Sequence, residues 1–200
     1  MKDIFRLSLT LTIVALISAG SLSWINEITK SEILTQEEKD LNNALMYVLP
    51  GFNSDNIIPI QQDNQVLYYE GYGDPSKTRI DGYAFMVESH GYSSIIRTLV
   101  GIDTNGTILQ IKILSQQETP GLGSRCQEIR NGESVPWWQA QFENLEIDSV
   151  TIDKDGGSIE TITGATITSR AITDSIAKKI QFLLDSVNNT MTDNTDKEGV

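Results

Sequence analysis

The chain has 200 residues, enough for one ordinary domain plus an appendage. Its net charge of −12 excludes nucleic acid as a partner, because there is no basic stripe to displace counterions from phosphates. One cysteine, Cys126, and one histidine, His90, exclude an internal disulfide, a multi-cysteine metal site and a His-rich zinc or haem site. Any chemistry therefore falls to a cofactor, to carboxylates or to hydroxyls.

Residues 7–26 carry no charged side chain and follow Lys2 and Arg6. That length matches a bilayer core of roughly 30 Å, and a helix can satisfy the interspersed Ser and Thr internally. Trp24 falls where an interfacial aromatic would sit, and the flanking positive charge points the N-terminus to the cytoplasm. The reading is a single-pass anchor over 1–30 in the inner (cell) membrane, with the remainder on the periplasmic, extracytoplasmic side. The competing reading is a cleaved secretory signal, with Ser18, Ala19, Gly20 and Ser21 near the cut.

Thr35-Gln36-Glu37-Glu38 has the form of a capping box, and Leu41, Ala44, Leu45, Val48 and Leu49 follow at helical spacing until Pro50-Gly51. Residues 67–72 and 82–88 read as strands joined by the turn-prone Gly73-Asp74-Pro75-Ser76. Residues 95–102 and 108–114 read as a hairpin, because Asp103-Thr104-Asn105-Gly106 holds an Asn-Gly pair. Residues 150–152 open another strand. Ala171, Ile172, Ile176, Ile180, Leu183, Leu184 and Val187 then mark a helix. Composition predicts a disordered tail over 189–200. The fold expected is α+β: a transmembrane helix, then one domain over 31–188 with a mainly antiparallel sheet and flanking helices.

Two loops stand out chemically. Ser158 to Arg170 holds threonines and serines around the pivot Gly164, just before the C-terminal helix. Thr166, Thr168 and Ser169 are each acceptable N-caps, and a hydroxyl beside free N–H groups at the positive end of a helix suits a phosphate. On spacing alone the stretch reads as a strand, a tight turn and a capped helix, since such turns before helices are common. The second loop, Glu118-Thr119-Pro120-Gly121-Leu122-Gly123, reads by itself as a turn carrying a glutamate. Asp153-Lys154-Asp155-Gly156-Gly157 fails the EF-hand register and is a turn. Cys126 has no second cysteine for redox cycling and reads as inert, while His90 reads as structural or exposed.

In combination these stretches carry a resemblance. Thr163-Gly164-Ala165-Thr166 resembles the Ser/Thr-Gly-Ala-Thr motif of the FMN-binding domain family shared by the RnfG subunit of the Rnf complex and the NqrC subunit of the sodium-pumping NADH:quinone oxidoreductase. Glu160 stands where that family usually has Asp. Glu-Thr-Pro-Gly-Leu-Gly at 118–123 resembles its second signature, and Gly91-Tyr92 and Trp137-Trp138-x-x-Gln141-Phe142 match further family regions. Of the two branches, the chain more closely resembles the RnfG one.

The resemblance implies a covalent FMN, joined through its phosphate to Thr166 by a flavin transferase. It also implies a cofactor site formed by Glu118, Thr119, Gly121, Leu122, Thr163, Gly164, Ala165, Thr168 and Ser169. The two tryptophans read as a core or interface cluster, and Tyr92 as a half-buried strand residue. The function implied is an electron-carrying subunit, with no catalytic residue of its own, in a ferredoxin:NAD oxidoreductase complex that moves ions. Its partners would be the other membrane subunits, the transferase and membrane lipid. Three alternatives stay open: the NqrC subunit of the quinone reductase, an anchored non-catalytic binding module, and a stand-alone flavin reductase.

Overall fold

In the computed structural model, residues 2–63, 65–74 and 76–195 are described, the side chains of 31 and 187–195 excepted. The chain divides into two units, Met1–Asn42 and Asn43–Val200. Helix α1, Lys2–Val48, begins in the first and ends in the second. Residues 21–49 contain neither Gly nor Pro, so nothing halts the helix at residue 35 and the capping-box pattern there does not start a new one.

In the first unit the apolar side chains, among them Leu7, Leu11, Leu16, Leu22 and Trp24, are exposed. The hydroxyls of Thr10, Thr12, Ser21 and Thr29 donate to the carbonyls of Arg6, Ser8, Ile17 and Ile25, so they cost little in an apolar solvent. Among the described residues this is one helix long and apolar enough to cross a membrane, and it fits a single-pass anchor.

The second unit is built on an antiparallel sheet in which each strand pairs with the next in sequence: β1 Ile57–Gln62, β2 Gln65–Tyr72, β3 Ile80–His90, β4 Ile95–Asp103 and β5 Ile108–Ser115. The β4–β5 hairpin turns where the Asn-Gly pair predicts. The Asp103 carboxylate accepts the N–H groups of Asn105 (2.9 Å) and Thr107 (2.8 Å) and holds the turn closed. Strand β1 goes unmarked in the sequence pattern because Pro59 interrupts it. An edge strand tolerates that proline, since one side needs no N–H donor.

One face of the sheet presents Phe85, Val87, Val100, Ile111 and Ile113 to the core, where helix α3, Thr166–Thr195, packs mainly against β3. The helix answers with Ile172, Ile176, Ile180 and Leu183 at its apolar period. Each of these burials is worth about 1.5–3 kcal/mol relative to exposure. The last turn of α1 covers the other face, and the backbones approach closely there. A Cβ on Gly101 would stand 2.0 Å from the Val48 carbonyl oxygen, so only glycine fits.

The strand expected at 150–152 reduces to a single parallel bridge, Ile152 to Ile159. Val150, Ile152 and Ile159 are buried, but their backbone groups close a tight local loop in which Ile159 N–H donates to Thr151 and Asp153 N–H to Ile159. Helix α3 runs through Thr195, across part of the tail expected to be disordered, and residues 196–200 lie outside the described residues. The architecture is α+β.

Candidate functional site

The stretch before α3 is fixed from behind. Trp138, fully buried in the short helix α2 (Trp137–Ala140), donates its indole N–H to the Glu160 carbonyl at 2.9 Å. The side-chain oxygen of Gln141 accepts the Glu160 N–H at 2.7 Å. The Asp153 carboxylate takes both the N–H and the hydroxyl of Thr161. The Trp-Trp-x-x-Gln-Phe segment is thus core, as expected, and it also holds the phosphate-suited loop in place. Trp138 meets Phe142 edge to face at 5.1 Å, and Arg130 stacks on Trp137 at 3.6 Å.

Gly164 has φ +78, the left-handed conformation that L side chains resist, and it turns the chain into α3. The helix then starts without a conventional side-chain N-cap. Thr166 is its first residue, the Thr168 hydroxyl donates elsewhere, and the Ser169 hydroxyl accepts Ile162 N–H (3.1 Å) and donates to the Ala165 carbonyl (3.1 Å). None of the three expected N-caps caps it: Thr166 already lies inside the helix, and the hydroxyls of Thr168 and Ser169 are engaged elsewhere. Ser169 N–H makes the first helical bond, to the Ala165 carbonyl at 3.0 Å, so the N–H groups of Thr166, Ile167 and Thr168 precede the ladder. Among the described residues the half-buried Thr166 hydroxyl has no protein partner.

The second loop faces this turn. Thr119-Pro120-Gly121-Leu122 folds with Leu122 N–H donating to the Thr119 carbonyl at 3.1 Å and Gly121 at φ +76, the pattern of a type II turn. Between the two loops lies a cavity of ≈ 500 Å³. Glu118, Thr119, Leu122, Gly164, Ala165, Thr166 and Thr168 line it, so most of the expected site residues come together. Gly121, Thr163 and Ser169 do not line it, and Ser169 is fully buried behind it. Gly123, Ile167 and Tyr92 complete the lining.

Tyr92 is 71% exposed in the turn between β3 and β4, not half-buried in a strand. Its place at the cavity depends on a contact remote in sequence, the Tyr92 N–H donating to Glu118. A second cavity of ≈ 430 Å³, lined by Tyr68, Tyr83, Glu70, Lys179 and Phe182, holds none of the expected residues.

Glu118 is only 5% exposed, yet its carboxylate is fully engaged. Oε1 accepts the N–H groups of Ser93 and Ser94 (both 2.9 Å) and the Ser94 hydroxyl (3.0 Å). Oε2 accepts the Tyr92 N–H (3.1 Å) and the Thr168 hydroxyl (2.7 Å). Burial pushes this carboxyl up, but the donors from Thr168, Ser93, Ser94 and Tyr92 outweigh it and hold it below the usual glutamate range.

Nearby, burial with the Glu118 charge pushes the Cys126 thiol up to about 12, which agrees with an inert cysteine. His90 is exposed. Among the described residues no group of three His, Cys, Asp or Glu side chains is placed to hold a metal ion.

Residues 91–181 match the model of the FMN-binding domain family, and residues 1–48 match that of the RnfG N-terminal region. The RnfG subunit of the ion-translocating oxidoreductase complex of Vibrio vulnificus is 31% identical over 92% of this chain and 90% of its own length. The Pasteurella multocida protein of that description is 31% identical over 90% of this chain and 94% of its own. The NqrC subunit of the Na(+)-translocating NADH-quinone reductase of Parabacteroides distasonis shares the fold, with a TM-score of 0.52 and 16% identity over 76% of this chain and 94% of its own. The match runs through both the N-terminal helix and the domain that holds the cavity, and the chain belongs to the RnfG family of ion-translocating oxidoreductase complex subunits.

Proposed function

We propose that this chain is the FMN-carrying electron-transfer subunit of an Rnf-type ion-translocating complex, with the FMN phosphate esterified to Thr166. The observation that carries the reading is the position of Thr166. Its unpartnered hydroxyl stands at the first residue of a long helix, beside three N–H groups outside the helical ladder and inside a ≈ 500 Å³ cavity. Ligand cavities typically run about 300–1,000 Å³, and this one divides chemically as FMN does. The amide end with the helix dipole suits the phosphate, while the exposed faces of Leu122 and Tyr92 suit a flat ring.

Bound FMN would supply reversible one-electron chemistry. The chain's part is to hold and orient it. The Thr166 oxygen carries the ester, the Ile167 and Thr168 N–H groups neutralise phosphate charge, and the Thr119–Leu122 turn borders the ring. A phosphoester leaves the ring itself unmodified and keeps the cofactor from diffusing away. Maturation then needs a flavin transferase that can reach the exposed Thr163–Gly164 turn and Glu160. The exposed apolar helix of the first unit would sit in the cell membrane, in contact with lipid, with the domain on the extracytoplasmic side and the partner subunits beside it.

The test is an intact-mass spectrum of the full chain, produced with a flavin transferase. One FMN less one water, mapped to the peptide over 163–169, is expected, and Thr166→Ala should lack it while keeping its fold. A colourless, unmodified wild-type chain despite an active transferase would refute the flavoprotein reading and favour an anchored binding module.

A further inference from the structure

Among the described residues Glu118 is the one charged side chain lining the cavity, and its two oxygens accept from three backbone N–H groups and two hydroxyls. Its donors lie 24–50 residues away in sequence, in the turn after β3 and the first turn of α3. The backbone is shaped around the carboxylate. A Cβ on Gly91 would stand 2.6 Å from Oε1, and one on Gly123 would stand 2.8 Å from both Oε2 and the Thr168 oxygen. Two glycines therefore wall in the side chain from opposite loops. No lysine, arginine or histidine makes an ion pair with it among the described residues. The negative charge is solvated by amide and hydroxyl dipoles and is not cancelled by a cation.

We propose that Glu118 is not a flavin ligand but a fixed buried charge that locks the Tyr92–Ser94 turn and the 118–124 loop onto α3 and disfavours reduction of the redox group in the cavity. This rests on the flavoprotein reading above and deepens it. Adding an electron beside an existing negative charge is disfavoured. At an effective dielectric of about 20, a charge about 12 Å away changes the reduced-to-oxidised ratio by about tenfold, and a nearer one changes it more. Because its proton is donated to Glu118, the Thr168 hydroxyl presents only lone pairs to the cavity.

The test uses the flavinylated full chain, poised at one fixed ambient potential, with Glu118→Gln and Ser94→Ala compared against wild type. Glu118→Gln keeps the shape and removes the charge. It should retain covalent FMN by intact mass and raise the reduced-to-oxidised ratio by at least about tenfold. Ser94→Ala removes one donor and leaves the charge less well solvated, so the ratio should fall instead. Opposite signs in the two variants are the signature of a charge, because a merely structural role would lower stability in both without that split. Flavinylated variants with unchanged ratios, or ratios that move together, overturn this inference alone. A wild-type chain without FMN overturns the reading beneath it as well. Should Glu118→Gln fail to fold, the direction of the Ser94→Ala shift decides.

Discussion

Trp138→Phe probes the link between the core and the site. Trp138 is fully buried, packs edge to face on Phe142 and donates its indole N–H to the Glu160 carbonyl at 2.9 Å. Phenylalanine keeps the edge-to-face pair but loses the donor and leaves a small void. The void costs on the order of 1 kcal/mol in a core that relaxes only in part. The lost donor adds about 1 kcal/mol, the low end for such a loss, because Glu160 is exposed and its carbonyl can turn to water. The sum of about 2 kcal/mol lowers the melting temperature by roughly 4–8 °C for a domain of this size.

The assay is thermal unfolding of the full chain in detergent, followed by near-ultraviolet circular dichroism. Trp137→Phe is the control. Its indole N–H donates to Glu128 at 3.0 Å, a carboxylate 39% exposed that water can satisfy, and the loss should be under half as large. If Thr166 carries FMN as proposed, Trp138→Phe should also slow its flavinylation, because the strut at Glu160 holds the loop that a transferase would have to reach. Equal melting temperatures for the two variants, with unchanged flavinylation, would refute the idea that the tryptophan pair splits into a strut and a bystander.

Two further outcomes follow from the burial of Glu118 and Cys126. Because the folded-state carboxyl of Glu118 is held below its unfolded value of about 4.3, its contribution to stability is present above that pH and is lost as pH falls through the folded value. The melting-temperature gap between wild type and Glu118→Gln, measured without flavin, should therefore be constant from pH 5 to 7 and close toward pH 3; a gap that widens in acid would contradict the hydrogen-bond account. Cys126, fully buried with its thiol pushed up to about 12, should resist iodoacetamide at pH 8 until the protein is unfolded, and rapid alkylation of the native chain would contradict its burial.

Much of this was legible where the signal is local. The Asn105-Gly106 turn fixed the β4–β5 hairpin because one carboxylate, Asp103, two residues away completes it. The period of Ile172, Ile176 and Ile180 marked α3 because one face of that helix meets one face of the sheet. The signal failed where tertiary context decides. Pro59 hid an edge strand, and residues 150–152 look like a strand but are held by side-chain burial more than by a ladder. At the site, the motif at 118–123 marked a cavity wall, but a sequence cannot show that Glu118 spends all its lone-pair capacity on a turn some 25 residues upstream and a helix 50 residues downstream.

The choice among hydroxyls in residues 158–169 rests on which of them the fold already engages. Thr161 is bound to Asp153, Thr168 to Glu118, and Ser169 to the Ala165 carbonyl. Thr163 is exposed and does not line the cavity. An oxygen without a protein partner can take a phosphoryl group without breaking a structural contact, and it must stand in the cavity for the rest of the ligand to fit. Thr166 alone among these meets both conditions within the described residues. Its neighbours are not spare acceptors. Thr168 holds Glu118 in the cavity wall, so Thr168→Ala should free Glu118 from α3 and alter the site without creating a new attachment point. Flavin found on Thr163 in a Thr166→Ala chain would show that reach by the transferase, and not cavity geometry, makes the selection.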